Sequence, residues 1–361
     1  MGSAEICVAG GGPAGLAAAI AFRKEGFSVA VFDCAHPPVD KACGEGLMPE
    51  GIAALEELGV AIPAGAGFPF RGIRFLDGEC SVEASFPSRA ALGMRRTVLH
   101  ALLANHAAQA GAVLHWGVRR LDFTGDGLVV DGAQVRPKLI VAADGQNSAL
   151  RRSSGLDQPL REEIRYGFRR HYAVAPWSPY MELHWGKRSQ LYITPISSHE
   201  IGVAILSRDS KLRLEQGLAE FPAVARRLEG IEPCSSERGG LTVSRKLKQV
   251  SRPGLALLGD ASGSVDAITG EGLSLAFRQA AALAQTLPSG DLRSYERAHR
   301  LILQRPRRMA ALLLALERRP RLRAQAFARM AKHPEIFARL LAIHAGEAHT
   351  PQLRSTAQNI L

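Results

Sequence analysis

No apolar run in this sequence approaches the roughly 20 residues that a membrane-spanning helix needs; Ala310 to Leu316 is among the longest. No C-x-x-C pair is present either. The five cysteines, Cys7, Cys34, Cys43, Cys80 and Cys234, are odd in number and widely spread, which speaks against a zinc site or a disulfide framework and for free thiols and no metal. A strand-like run starts by Glu5 where a secretory leader would need a basic segment and an apolar stretch, so no leader and a cytoplasmic location are expected. Acidic residues are scarce at one end only: from Arg300 to Leu361 twelve Lys and Arg face three Asp and Glu, which accounts for nine of the eleven net positive charges. What is there is globular composition, 46% hydrophobic and 22% charged over 361 residues, enough to bury cores in two or more domains.

The first strand is expected from about Glu5 to Ala9 and stops at Gly10-Gly11-Gly12. A helical pattern follows from Pro13 to about Glu25, with Gly26 where a helix-ending glycine belongs. Ser28 to Phe32 is a second strand, apolar almost throughout, as a strand buried on both faces should be, and Asp33 ends it. Thr97 to Ala110 reads as a helix, and Val113 to Leu114, Leu128 to Val130 and Leu139 to Ala143 as short strands. Between Tyr166 and Ser207 four strand-like segments, Tyr166 to Val174, Met181 to Trp185, Gln190 to Ile196 and Ile201 to Leu206, point to an inserted antiparallel sheet. Leu255 to Leu258 returns as a buried strand, Glu271 to Thr286 as a helix, and the chain beyond Leu292 looks helical.

Gly10, Gly12 and Gly15 spell G-x-G-x-x-G at the junction of the first strand and helix. The first glycine permits the tight turn, the second lets a pyrophosphate approach the backbone, and the third lets helix and strand pack closely. The helix N-terminus then faces the phosphates. Asp33 lies 18 residues beyond Gly15, where an acid can accept hydrogen bonds from ribose hydroxyls. A dinucleotide site follows.

Two further segments carry a resemblance. Ala143-Asp144-Gly145-Gln146-Asn147-Ser148 with Arg151 looks like the D-G motif of FAD-dependent hydroxylases of the para-hydroxybenzoate hydroxylase type, and Leu258-Gly259-Asp260-Ala261 with Gly270-Glu271-Gly272 looks like their G-D motif. Lys41-Ala42-Cys43-Gly44-Glu45-Gly46 resembles the C-G-G loop of the geranylgeranyl reductase branch of the same superfamily. The resemblance spans about residues 4 to 287 and implies FAD as cofactor. It implies cofactor contacts from Gly10, Gly12, Pro13, Ala14, Gly15 and Asp33, from Cys43 and Gly44, from Arg96 beside the phosphates, from Asp144 and Gly145, and from Gly259, Asp260, Gly270, Gly272 and Leu273.

The expected fold is therefore α/β with α+β elements. Residues 1–75, 95–160 and 250–290 form a discontinuous Rossmann-type FAD-binding domain, 76–94 and 161–249 an inserted antiparallel β-sheet substrate domain, and 291–361 a helical C-terminus.

The family's members hydroxylate, epoxidise, halogenate or saturate double bonds, so fold and cofactor do not fix the reaction. The W-x-W-x-I-P signature of halogenases is absent, the tryptophans being Trp116, Trp177 and Trp185. Gly263 stands where hydroxylases usually carry histidine, Ala267 where both branches usually carry proline, and Tyr192-Ile193-Thr194-Pro195 where the reductases carry F-P. The favoured reading is a monooxygenase acting on an organic small molecule through a flavin hydroperoxide, with a C=C-saturating reductase as the alternative and a halogenase or a non-enzymatic flavin-binding protein behind it. No second G-x-G-x-x-G exists, so NADPH or NADH would visit only transiently as reductant.

In the inserted sheet Arg169 and His171 point one way and Phe168, Arg170 and Tyr172 the other. His171, His184, Tyr192 and Glu45 are the polar candidates for catalysis. The amphipathic, arginine-rich tail suggests contact with a membrane surface or with an acidic carrier protein bearing a tethered substrate, whereas no DNA-reading motif suggests nucleic acid.

Overall fold

The computed structural model describes residues 4–347. Its first layer is a six-stranded sheet in the order Ser251–Arg252, Leu255–Leu257, Leu139–Ala142, Ile6–Ala9, Val29–Asp33, Val113–Trp116, parallel except for the hairpin at its first edge. Ile6–Ala9 sits in the middle and is buried on both faces, which is why its sequence, Ile-Cys-Val-Ala, is continuously apolar rather than alternating. The helices Arg96–Gln109 and Gly272–Thr286 each pack against Pro13–Lys24 beside this sheet. Leu121–Phe123, Leu128–Val130 and Ala133–Val135 add a three-stranded antiparallel meander.

The second layer is a seven-stranded sheet in the order Arg238–Leu247, Pro159–Tyr172, Glu200–Ser207, Ser189–Ser197, Met181–Trp185, Gly72–Asp77, Cys80–Ser85. All neighbours run antiparallel but one: Met181–Trp185 pairs in parallel with Gly72–Asp77. Residues 72–75, placed by the sequence reading with the cofactor domain, therefore begin a strand of this sheet. One face, carrying Phe168, Tyr172, Leu191, Ile193, Ile201, Val203 and Ile205, is closed by the helices Leu214–Leu218 and Pro222–Leu228. The other face turns toward the cofactor domain and toward three helices, Leu292–Arg318, Pro320–Lys332 and Pro334–His344. Residues 348–361 of the expected helical tail lie outside the described residues. The segments Gly46–Leu47, Ala91–Gly93 and Phe68–Phe70 form a small sheet at the junction. There the backbones meet so closely that a Cβ on Gly93 would stand 1.6 Å from the Pro195 carbonyl oxygen.

Candidate active site

Each glycine of the first loop has a distinct reason. Gly10 has φ +106°, and a Cβ there would meet the Ala143 carbonyl oxygen at 2.4 Å. A Cβ on Gly15 would come 1.8 Å from the Gly10 oxygen, so only glycine lets the helix sit this close to the strand. A Cβ on Gly12, by contrast, would meet nothing within 4 Å: the space in front of the loop is open. Pro13 and Ala14 open the helix, whose Gly12 N-cap has no side-chain acceptor, so its first N–H groups are left for an anion.

Asp33 holds this loop in place. Its Oδ2 accepts from the Gly11 N–H at 2.6 Å and its Oδ1 from the Ala35 N–H at 2.8 Å; each oxygen keeps a lone pair for a ribose hydroxyl. Two residues not picked out from the sequence complete the support. The Trp116 ring lies where a Gly11 Cβ would be, and buried His100 bonds the Gly11 carbonyl through Nε2 at 2.9 Å.

The D-G and G-D segments meet through one arginine. Arg151, 1% exposed, donates to the Gln146 carbonyl at 2.9 Å, the Ala261 carbonyl at 3.2 Å and Asp157 Oδ1 at 2.8 Å. Asp144 Oδ2 accepts from the N–H groups of Ala149 and Leu150, while its Oδ1 and the Gln146 Oε1 are buried without a partner. Gly145 has φ +82° and Gly259 φ +59°. Asp260 is exposed to solvent; the protein crowded around its carboxylate raises its pKa, with Arg96 and Lys41 pulling it back. Arg96, at the start of its helix, forms no ion pair among the described residues, and its Nε is buried without a partner.

The Cys43-Gly44-Glu45 loop is stitched to the large sheet. Thr194 Oγ1 donates to the Gly44 carbonyl at 2.8 Å, and Cys43 Sγ accepts from the Glu45 N–H at 3.4 Å. Glu45 adopts φ +57°, a left-handed conformation that costs a non-glycine residue ~1–2 kcal/mol. Its carboxylate compensates: Oε1 accepts from the Arg96 N–H at 2.9 Å and Oε2 lies 2.5 Å from His171 Nε2. On the other side of the ring, Nδ1 faces Arg169 Nη1 at 3.0 Å and Ser235 Oγ at 2.8 Å. A guanidinium can only donate, so Nδ1 is the acceptor and Nε2 carries the hydrogen given to Glu45. Arg169 itself is buried and bound to Asp40.

Beyond this network lies an apolar cavity. Met181, Leu183 and Tyr192 of the large sheet form its floor, Met309, Leu312, Leu313 and Leu316 with Met330, Phe337, Leu340 and Leu341 of the C-terminal helices its roof, and Ile268, Thr269 and Gly270 one end. Tyr192 reaches in with a hydroxyl that has no partner and whose pKa burial raises. His344 lines the same end. Its Nδ1 lies 3.5 Å from Oε2 of Glu271, the residue that precedes the helix Gly272–Thr286. Burial pushes the Glu271 carboxyl up to about 8, against the pull of Arg305, and lowers His344 to about 4. Behind Tyr192 a second buried group, Arg165 with Asp266 at 2.9 Å and Glu317 at 3.2 Å, fastens the loop before the helix to the sheet and the roof.

Of the four catalytic candidates, the structure brings Glu45 and His171 into direct contact and places Tyr192 in the cavity. His184 is on the opposite face of the sheet. It pairs in register with Leu191, bonds Glu182 Oε2 at 3.0 Å and stands against Phe221, away from the cavity. Glu271, His344, Arg169 and Arg165 were missed, although Glu271 lies inside the quoted Gly270-Glu271-Gly272; a charged residue between two glycines gives no sign of being buried.

Open space before Gly12, an uncapped helix N-terminus at exposed Gly272, an Arg96 unpaired among the described residues and unpartnered Asp144 and Gln146 oxygens come from loops that the motifs bring together. That donor and acceptor set fits FAD, whose diphosphate needs cations and N–H groups and whose ribityl chain and ring need acceptors and donors.

The fold and this set of donors and acceptors define a flavin-dependent oxidoreductase. By sequence the chain belongs to the FAD binding domain family, whose model matches residues 3–220. It is 28% identical over 352 residues to the menaquinone reductase of Mycolicibacterium smegmatis, covering 87% of this chain and 85% of that one. It is also 28% identical over 318 residues to the ubiquinone hydroxylase of Rhodospirillum rubrum, covering 79% and 72%. Among solved structures, a flavoprotein/dehydrogenase from Cytophaga hutchinsonii superposes with a TM-score of 0.82 at 20% identity, over 97% of this chain and 94% of that one.

Proposed function

We propose that this enzyme uses FAD to reduce a carbon–carbon double bond in a hydrophobic, chain-bearing molecule of quinone or isoprenoid type. The observation that carries the reading is the apolar cavity, which ends against Ile268–Gly270, directly before the uncapped N-terminus of the helix Gly272–Thr286. Its polar groups are few: the Tyr192 hydroxyl, the His344 imidazole and Thr269. A wall of this kind suits an alkyl or prenyl chain and leaves an ionised aromatic acid unpaired. FAD, when bound, supplies the two electrons, and NADPH or NADH is the proposed source of them.

The chain's residues then have three tasks. Tyr192, kept protonated by burial, donates a hydrogen bond to a polar head of the substrate or a proton to the carbon that accumulates charge. The Glu45–His171–Arg169 network holds the Cys43 loop and the N-terminus of the Arg96 helix in register with the sheet. The roof helices keep water out of the cavity. Similarity to a menaquinone reductase supports this direction of chemistry.

Oxygenation of the same class of substrate is the second reading, supported by the ubiquinone hydroxylase. Incubating flavin-loaded protein and NADPH with isoprenoid quinones, free or presented on an acidic carrier protein, separates the two by product mass. Two added hydrogens support reduction, one added oxygen supports monooxygenation, and no product from any chain-bearing substrate overturns the reading of the cavity.

A further inference from the structure

The helices that roof the cavity also carry the positive charge that the rest of the chain lacks. On Leu292–Arg318, the exposed residues Leu301, Arg308 and Leu312 follow at spacings of seven and four. At 3.6 residues per turn that sets them on one line to within about 20°, and Arg319, also exposed, stands seven residues further on. The leucines do not belong to any core: Leu301 is 70% exposed and Leu312 42%. Leu312 is at once exposed and part of the cavity wall, so the apolar lining reaches the surface at that point. Leu322 and Ile343 add exposed apolar surface on the two following helices.

The cations here divide into two sets. Arg318 is held by Glu163, Arg305 by Glu50, and Arg323, buried, by both oxygens of Asp77. Arg308, Arg319, Arg321, Arg329, Lys332 and Arg339 are exposed and form no ion pair among the described residues. Leu301 and Leu312 in line with free Arg308, followed by further free arginines on the next helices, are what an interfacial surface needs: the leucines enter the acyl boundary and the arginines meet anionic headgroups.

We infer that this face docks on an anionic lipid bilayer with the cavity mouth at Leu312 turned to the membrane, so that a hydrophobic substrate passes from lipid to cavity without crossing water. An acidic protein would pair with the arginines but leave Leu301 and Leu312 in water. The route of the substrate rests on the hydrophobic-substrate reading above; the docking itself does not.

The test uses the flavin-loaded full chain and vesicles of phosphatidylcholine with or without phosphatidylglycerol, without substrate. Wild type should sediment with the anionic vesicles and release as salt is raised. The triple variant Arg308→Gln, Arg319→Gln, Arg321→Gln should bind roughly a hundredfold more weakly. Leu301→Gln, which leaves every cation in place, should also bind more weakly. All variants should keep wild-type flavin content and thermal midpoint, which shows that they fold, and should turn over a detergent-dispersed substrate as wild type does. Failure of wild type to sediment at low salt, equal sedimentation of the triple variant, or salt-sensitive capture of an acidic carrier protein without vesicle binding would each overturn the proposal. A lipid-binding protein that reduces no hydrophobic substrate would leave the docking standing and remove the proposed reaction instead.

Discussion

Gly12 and Gly15 stand three residues apart, and a side chain at each would do something different. Gly12→Asp adds a carboxylate in open space, where the cofactor's diphosphate belongs. The variant is expected to fold with the thermal midpoint of flavin-free wild type and to purify without the flavin absorbance that wild type shows. Gly15→Ala drives a methyl group into the Gly10 backbone and should lower stability by about 1–3 kcal/mol or more. The two aspartates after the third motif part in the same manner. Asp260 is exposed, so Asp260→Ala should cut flavin retention with little loss of stability in the flavin-free protein. Asp266 is 2% exposed and paired to fully buried Arg165, so Asp266→Ala leaves the buried guanidinium to Glu317 alone among the described carboxylates and should cost about 1.5–3 kcal/mol. Denaturant titration with a flavin count distinguishes them, and a similar stability loss in both variants would contradict the assignment.

Glu271 makes the pH dependence legible at the same scale. Its folded pKa of about 8 lies above the ordinary 4.5, so the folded state binds the proton more tightly than the unfolded chain. Its contribution is fully present below about 4.5 and is lost as pH rises toward 8. His344, lowered from 6.5 to about 4, works the other way: its contribution is present above 6.5 and is lost as pH falls toward 4. Glu271→Gln should therefore gain stability relative to wild type between pH 6 and 9, read as a thermal midpoint measured across that range; a parallel pair of curves would mean that Glu271 is ionised in the fold.

At the scale of elements, the motifs are short loops whose geometry depends on what fastens them to each other. Arg151 bonds carbonyls of both the D-G and the G-D segments. Arg151→Met keeps the stem and removes the bonds, which are worth ~1.5–3 kcal/mol each when charged; weaker flavin retention is expected although Arg151 need not touch flavin. The elements that sequence pattern revealed are those buried on both faces or cleanly amphipathic. Those it missed have reasons too. Cys80–Ser85 and Arg238–Leu247 are the two edges of the large sheet, with burial on alternate residues at best, and Arg-Gly-Gly at the start of the latter reads as a turn. Pro49–Glu57 is nine residues long, too short for a clear period.

At the scale of the molecule, the C-terminal helices close the large sheet over the apolar cavity, and the closure is aromatic. Phe327 and Phe337 pack on Phe75 of the large sheet, and Phe327 also on Trp185. A chain ended after Arg319 uncovers this surface and half the cavity roof, while every residue of the flavin cradle stays. Such a truncation is expected to retain flavin, bind a hydrophobic dye strongly and lose turnover on chain-bearing substrates. Loss of flavin as well would mean that the His344–Glu271 contact supports the cradle.

The sequence by itself determined the flavin loop, because a turn at φ +106° and a strand–helix approach that excludes a Cβ are demands on single residues that only glycine meets. It determined the amphipathic tail for the same reason: a period of 3.6 is local. Only the tertiary structure decided which face of the large sheet is the site. Period two says that His171 and Arg169 share a side, but the helices Leu214–Leu218 and Pro222–Leu228 settle that this side is the inner one and leave His184 on the other. Tertiary structure also brought Glu271 to His344, and Arg323 to Asp77. These pairs lie 73 and 246 residues apart, and no local pattern records a contact made only when two sheets and three helices close on one another.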